Sequence, residues 1–371
     1  MVIWGTIRHI VLKTMQNIYS NWPPLLKKIW WLILALVLAG SISVTMVIKG
    51  QQSSVAANLD PSPEINLAVA APIPPIDKNT KQVGVLLAGY GGPGHSGGML
   101  ADVIQVLWID MEKSQVALIS IPRDLWVNTN GQGTKINAGL ANSSGLAEGM
   151  DTMKQLASIV TGLPISYAVA IDFIGLQRLV GETLKGIEVS VTSRLDDPWY
   201  PITGEELNTC GLTSEEVASL SAQFSGFELE KQFPCRYEHL SFEPGKIKME
   251  GGEALKYVRS RHGSSDFDRS RRQQEVLLAM KNRIVSLGML DDLAKFFESL
   301  QRTISTDFDL QTLELLLPVF NSFQDTTPVS IVLSTDNVFS SGRSSSGQSI
   351  LQPKSGSWQE VHQFIQDKLA N

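Results

Sequence analysis

The chain has 371 residues, 43% of them hydrophobic and 18% charged, with 30 Gly and 17 Pro. That composition excludes a disordered chain, a coiled coil and a collagen-like fibre, and the length suits one large domain with additions, or two domains. A formal net charge of −6 argues against general nucleic-acid binding, and two cysteines exclude a disulfide-rich scaffold and a four-cysteine zinc site.

Ile29 to Ile48 is twenty residues without a charge. As a helix it is about 30 Å long, roughly the hydrocarbon thickness of a bilayer. Lys27, Lys28 and Lys49 bound it, and Trp30 and Trp31 sit where an interfacial aromatic belt belongs. Residues 1–28 hold Arg8, Lys13, Lys27 and Lys28 and no acidic residue. The positive-inside rule therefore predicts a cytoplasmic N-terminus, a transmembrane helix over 29–48 and export of the rest across the cytoplasmic membrane. A cleaved signal peptide is the rival reading, but the apolar stretch is longer than a typical signal core. The exported part then sets 27 Lys and Arg against 37 Asp and Glu, a charge of −10. Clustered arginines stand out against that background.

Residues 49–81 read as a linker stiffened by Pro61, Pro63, Pro72, Pro74 and Pro75. Strands are predicted at Val83–Ala88, Val103–Asp110 and Val116–Ile121. A helix follows at Leu146–Thr161, closed by Gly162 and Pro164, then a strand at Tyr167–Ile171, a short helix at Phe173–Val180 and a strand at Ile187–Val191. Residues 193–242 read as an insertion with a helix near Ser214–Gln223. Helices are predicted at Gly252–Arg261 and Arg269–Leu287. Beyond Gly288 come two further helical stretches, a strand at Val329–Leu333, a Gly/Ser-rich loop at Ser340–Ser349 and a closing helix from Trp358. That last helix aligns Trp358, Val361, Phe364, Ile365 and Leu369 on one face, a pattern for docking on a core. The order predicts an α/β fold: a three-layer α/β/α domain over 82–288 with a mixed central sheet, and a small C-terminal extension over 289–371.

Gly89-Tyr90-Gly91-Gly92-Pro93-Gly94 satisfies the dinucleotide fingerprint G-x-G-x-x-G directly after a strand. The fingerprint needs a helix opening at the glycines, whose amides bind pyrophosphate. Only His95–Ala101 separates the glycines from the next strand, too few residues for a parallel crossover. The spacing predicts a hairpin-like loop instead.

Five arginines fall within fourteen residues: Arg259, Arg261, Arg269, Arg271 and Arg272. A solvated charge run is the bland explanation, but helical phase sorts them. Val276, Met280, Ile284 and Leu287 share a face, which Gln273 and Arg269 extend toward the N-terminus; Arg272 flanks it and Arg271 lies opposite. In the preceding helix Ala254, Val258 and Arg261 share a face, with Arg259 offset. Arg261, Arg269 and Gln273 are therefore expected to point inward. Asp266 and Asp268 can partner some of this charge, yet a positive surplus remains, and guanidinium forks suit phosphate oxygens. Arg123, in Ser120-Ile121-Pro122-Arg123-Asp124, lies just past a strand end where α/β sheets place ligand-binding groups. Asp102 lies just before a strand, next to the glycine-rich loop; a lone carboxylate there is more often a helix cap or turn residue, and beside such arginines it would be a natural Mg²⁺ ligand.

Ala101-Asp102, Ser120-Ile-Pro-Arg123-Asp124, Lys135-Ile-Asn137-Ala138, Tyr257-Val-Arg259-Ser-Arg261 and Asp266-Phe-Asp-Arg269-Ser-Arg-Arg-Gln273-Gln resemble, in order and spacing over roughly 83–288, the LytR–CpsA–Psr family. The resemblance implies a phosphotransferase that attaches a glycopolymer, carried on polyprenyl pyrophosphate, to peptidoglycan. It implies catalytic roles for Asp102, Arg123 and Arg269, substrate binding by Lys135, Arg259, Arg261 and Gln273, and Mg²⁺ at Asp102. Asp102 and Asp124 are candidates for assisting deprotonation of the acceptor. The chain departs from many members in having Gly89-Tyr90-Gly91 where they carry Asp-Ser-Arg. That departure favours the rival class, a non-catalytic wall-binding or regulatory anchor that keeps the pyrophosphate pocket.

Cys210 and Cys235 both fall in the insertion, and export places them in an oxidising compartment, so a disulfide is expected. His95 and His262 lie beside the proposed site, where hydrogen bonding is expected rather than zinc.

Overall fold

The structure, a computed structural model, describes residues 64–65, 77, 79–95, 97–129, 132–141, 145–262, 266–322 and 328–370. The expected transmembrane helix, the N-terminal segment before it and most of the linker lie outside the described residues. Among the described residues no helix is long and apolar enough to cross a membrane.

The strands in chain order are β1 (Glu64–Ile65), β2 (Gln82–Tyr90), β3 (Ala101–Asp110), β4 (Gln115–Ser120), β5 (Trp126–Thr129), β6 (Gln132–Lys135), β7 (Tyr167–Asp172), β8 (Ile187–Val191), β9 (Leu195–Pro201), β10 (Tyr237–Phe242), β11 (Gly245–Met249), β12 (Ser305–Thr306), β13 (Val329–Val332), β14 (Phe339–Arg343) and β15 (Ser349–Pro353). The helices used below are α1 (Leu146–Thr161), α2 (Phe173–Arg178), α3 (Ser214–Gln223), α4 (Gly251–Arg259), α5 (Asp266–Ser286), α6 (Leu293–Gln301), α7 (Leu310–Ser322) and α8 (Trp358–Ala370).

A six-stranded mixed sheet, ordered β12-β7-β2-β3-β4-β13, forms the centre. Both of its faces are buried, and alternate residues serve different cores. Val83, Val85 and Leu87 of β2 face a layer built from α2, α4, α5 and α6, while Leu86 and Ala88 face α1 and α8. This is the expected three-layer α/β/α arrangement. β2 and β3 are antiparallel, so the glycine loop between them is a hairpin connection, which rules out the dinucleotide geometry. Helix α8 buries Trp358, Val361, Ile365 and Leu369, as its pattern predicts.

Two expectations need correcting. Residues 289–371 are not an appendage to a domain ending at 288. β12 closes one edge of the sheet against β7 and β13 closes the other against β4, in parallel register from Val329↔Ala117 to Val332↔Ser120. Short strands with little periodicity of their own belong to the core because they cover both edges. Likewise, Ser340–Ser349 is not a plain loop but the heart of the β14–β15 hairpin, register Phe339↔Pro353 to Arg343↔Ser349. Its small polar residues hide the alternation that marks a strand.

Within the insertion, Cys210 and Cys235 form a disulfide with Cα atoms 5.6 Å apart. Thr213 and Glu216 make a reciprocal capping box that starts α3. Gly251 lets α4 approach α2 closely, because a Cβ there would lie 2.1 Å from the Gln177 carbonyl oxygen.

If 289–370 completes the sheet, a chain ended after Gly288 exposes both sheet edges and the α1 face that α8 covers. Calorimetry should show no cooperative transition for that truncated chain, whereas a chain from Lys81 through Asn371 should unfold cooperatively. A cooperative melt of the truncated form would show that the segment is dispensable to the fold.

Candidate functional site

The carboxyl ends of β2, β4 and β7 and the start of β3 meet at one end of the sheet, where α/β folds bind ligands. Register brings Asp102 there in an unusual way. Gly89 pairs with Val103, but Tyr90 pairs with Ala101, which leaves Asp102 as an extra residue on β3. A bulge of this kind re-aims a side chain that strict alternation would send elsewhere. The Asp102 side chain is 10% exposed and bonds Arg123, itself 12% exposed, through Oδ1 and Nη1. Burial pushes the Asp102 carboxyl above its usual 3.8, against the pull of Arg123, Arg269 and Arg261.

Arg123 sits on the turn after β4. That turn is braced by the C-terminal segment: the Leu351 N–H donates to the Asp124 carbonyl at 3.0 Å and Leu333 N–H to the Ser120 carbonyl at 3.1 Å. Asp124 accepts from Lys135 Nζ at 2.6 Å and lies 3.6 Å from Arg123 Nε. Lys135, at the end of β6, thus joins the cluster through Asp124.

The arginines of α4 and α5 divide differently from the helical-phase expectation. Helix α4 ends at Arg259, and Ser260 turns out with ψ 135, so helical phase cannot be extended to Arg261. Arg261 is exposed rather than inward, though close enough to act on Asp102. Arg259 turns inward instead, its guanidinium 4.5 Å from the Phe173 ring centroid and 5.7 Å from that of Tyr200. Its Nε is buried without a hydrogen-bond partner. Burial lowers the Arg259 pKa, while Tyr200 and Asp102 oppose that shift.

Arg269 is half-buried and acts on Asp102. Gln273, one turn further, is 3% exposed and accepts from Gln105 Nε2 at 3.5 Å, which also donates to Ser120 Oγ at 3.1 Å. Gln273 is therefore brought to the site, as its phase predicts. Arg272 is 1% exposed and structural: it donates to the carbonyls of Tyr257 (2.9 Å) and Ser260 (2.5 Å), satisfying the end of α4. Arg271 points away, to Thr192 Oγ1 at 2.8 Å, Ser193 and Asp268 at 3.1 Å.

The glycine loop closes on itself through Gly92 N–H to the Gly98 carbonyl (2.8 Å) and Gly98 N–H to the His95 carbonyl (2.9 Å). His95 packs edge-on against Phe173, and burial followed by the Arg259 charge holds its pKa below 6.5. His262 stacks on Phe227 at 4.8 Å and lies 3.4 Å from Asp197 Oδ1. The two histidines do not converge on Asp102, and among the described residues no three His, Cys, Asp or Glu side chains gather to hold a metal.

Sequence reasoning missed three residues. Asp172 ends β7, caps α2 by accepting from Gly175 N–H at 2.6 Å, and touches Gly92, whose φ of +84 admits no Cβ without strain. Its signal was an Asp at a strand-to-helix junction. Asp197 and Tyr200 come from the insertion and had no readable signal.

The profile of the LytR_cpsA_psr family matches residues 44–366. The polyisoprenyl-teichoic acid–peptidoglycan teichoic acid transferase TagV of Bacillus subtilis (strain 168) is 25% identical over 257 residues. That match covers 67% of this chain, but the chain spans only about half, 55%, of that relative's length. The regulatory protein MsrR of Staphylococcus aureus (strain COL) is 21% identical over 267 residues, covering 67% of this chain and 68% of its own length. The crystal structure of B. subtilis TagV superposes with a TM-score of 0.54 at 22% identity, covering 80% of this chain and 99% of that one.

The Asp102 shift makes a signed prediction. A carboxyl whose folded pKa lies above its unfolded value contributes stability that is present below about pH 4 and is lost as pH rises through the folded value. Asp102→Asn mimics the neutral acid and removes this dependence. The melting temperature of the variant relative to wild type should therefore be higher at about pH 7 than at about pH 4. A relative stability that falls over that interval would mean that Arg123, Arg269 and Arg261 outweigh burial.

Proposed function

Because the chain belongs to the LytR–CpsA–Psr family, we propose that it is a membrane-anchored phosphotransferase moving a glycopolymer from a polyprenyl-pyrophosphate carrier onto peptidoglycan outside the cytoplasmic membrane. One observation carries this reading. Arg123, Arg259, Arg261 and Arg269 all act on the buried Asp102 carboxylate at the carboxyl end of the sheet. Asp124 also lies 3.6 Å from Arg123, and against guanidiniums gathered in this way pyrophosphate supplies compact, multivalent negative charge with oxygens in fork geometry. The printed name of the TagV relative, a transferase of polyisoprenyl-linked teichoic acid to peptidoglycan, supports the substrate class.

In the transfer, an acceptor sugar hydroxyl oxygen bonds to the phosphorus on the polymer side, and the bond from that phosphorus to the bridging oxygen breaks. Polyprenyl phosphate leaves with added negative charge, which the four arginines neutralise as it forms. Gln273 and Lys135 flank the phosphates and orient them. The hydroxyl proton passes to a carboxylate. Asp102, kept more basic than usual by burial, and Asp124 are the candidates; Arg123 bonds the first and Lys135 the second, at 2.6 Å.

The magnesium expectation falls on the same carboxylate. Asp102 already bonds Arg123, and no metal-holding group of three side chains exists among the described residues. The arrangement fits Mg²⁺ in the form common at phosphate sites, with one protein carboxylate, Asp102, and substrate oxygens and water supplying the rest. Bound there, the ion would add to the neutralisation of pyrophosphate.

A second reading, a non-catalytic wall-binding or regulatory anchor, draws on Gly89-Tyr90-Gly91 standing where many members have Asp-Ser-Arg. It keeps the pyrophosphate contacts and forfeits turnover. Transfer of a labelled glycan from a synthetic polyprenyl-pyrophosphate donor to peptidoglycan separates the two.

Within the first reading, Arg269→Ala should weaken polyprenyl-pyrophosphate binding by on the order of 1.5–3 kcal/mol, the scale of a charge-assisted hydrogen bond. Arg271→Ala should change it by less than about 0.5 kcal/mol, because that side chain serves the Thr192–Ser193 turn. Equal losses in two variants with similar melting curves would make the cluster a diffuse basic patch.

The anchor makes its own prediction. A reporter fused after Asn371 should be active only outside the membrane, and cytoplasmic activity would overturn the topology and the wall-directed function together.

A further inference from the structure

Strand β9 belongs to the insertion and, among the described residues, pairs only with β10. Its register breaks: Asp197 pairs with Leu240 and Tyr200 with Glu238, so Pro198 and Trp199 together oppose His239. Proline, with no N–H to donate, is tolerated at such a bulge. Side chains three apart on a regular strand point to opposite faces. The extra residue cancels that difference, and Asp197 and Tyr200 are both buried, at 0% and 4% exposure, on the side of α4.

What they touch there is specific. Asp197 Oδ2 accepts from Ser260 Oγ at 2.6 Å and from the backbone N–H groups of Arg261 and His262 at 3.3 Å each, while Oδ1 accepts from Trp199 N–H at 3.0 Å. A carboxylate at the C-terminal end of a helix opposes the helix dipole, so α4 itself does not explain Asp197. The turn does: a fully buried charge is retained when its oxygens are saturated by donors, and these donors span the residues that present Arg261. Tyr200, for its part, stands with Phe173 against the Arg259 guanidinium, which no hydrogen bond at Nε fixes.

We infer that Asp197 and Tyr200 are positioning residues of the phosphate clamp: Asp197 fixes the Ser260–His262 turn that presents Arg261, and Tyr200 fixes the guanidinium of Arg259. The functional half of this rests on the pyrophosphate reading above. The insertion is thereby a working part of the site, since it supplies the strand that aims two of its arginines.

The test uses the full chain in detergent, with farnesyl pyrophosphate as the probe. Asp197→Asn keeps the shape but removes the charge. It should weaken probe binding about tenfold, roughly one charge-assisted contact, while adding no more than about twofold to the loss in Arg261→Ala when the two are combined. Hydrogen exchange at the Arg261 and His262 amides, measured without any ligand, should rise in Asp197→Asn. Tyr200→Leu should weaken the probe as Arg259→Ala does, and Tyr200→Phe, which keeps the ring, should restore it.

Unchanged amide exchange would overturn the role of Asp197. Losses that multiply in the double variant would make Asp197 a general structural residue, and equal behaviour of Tyr200→Leu and Tyr200→Phe would overturn the role of the ring. Wild-type protein that ignores the probe would sink the pyrophosphate reading itself, while the ligand-free exchange measurement still decides whether Asp197 anchors the turn.

Discussion

Concentrated positive charge is the constraint that organises this end of the molecule. Two guanidiniums about 6 Å apart repel by roughly 3 kcal/mol at an effective dielectric of about 20, so a cluster of them persists only if each is held by something else. The structure uses a different device for each. Arg272 is consumed by two backbone carbonyls at the end of α4. Arg259 lies between aromatic rings. Arg123 is held by Asp102, and Asp102 in turn is loaded by Arg269 and Arg261. These devices hold the cations in place at the mouth of the sheet.

Two β-bulges do the aiming. Alternation along a strand is strict, so a side chain at the wrong parity is sent into the wrong layer. One extra residue on β3 frees Asp102 from that rule at the mouth of the sheet. One extra residue on β9 brings Asp197 and Tyr200 to the same face. In each case the bulge sits beside the site and nowhere else along the same pair of strands, as expected where irregular backbone is retained for its consequences rather than tolerated as noise.

Much of this was legible in the sequence. The apolar runs of β2, β3 and β4 name the buried sheet, the six residues between the glycines and β3 force an antiparallel connection, and the phase of α5 places Arg269 and Gln273 toward the site and Arg271 away. The failures have physical causes. Arg261 was assigned by extending a helix past its last residue, and periodicity carries no information beyond the point where the backbone leaves the helix. Arg272, expected only on the flank of the inward face, is fully buried by backbone carbonyls that no pattern of residue types records. The edge strands β12 and β13 are two and four residues long, too short for a period of two to show. Asp197 contacts residues more than sixty positions away, and that pairing exists only after folding.

The two segments that the pattern set apart from the domain, the insertion and the chain beyond 288, turn out to flank the same clamp. The C-terminal segment braces the Arg123 turn through Leu351 and Leu333, and the insertion braces the Arg259–Arg261 turn through Asp197 and Tyr200. A free arginine carries about 2 kcal/mol of rotamer entropy, and four of them ordering around a ligand would forfeit a large part of the affinity their charges supply. Bracing from both sides fixes the backbone that carries Arg123 and Arg261, and the rings beside Arg259 fix its guanidinium, so part of that cost is met during folding. The central sheet alone could not do this, because its strands end where the site begins and every arginine lies on a turn or a helix terminus. A site assembled from loop-borne cations needs outside support on each flank, and here those flanks are the least patterned parts of the chain.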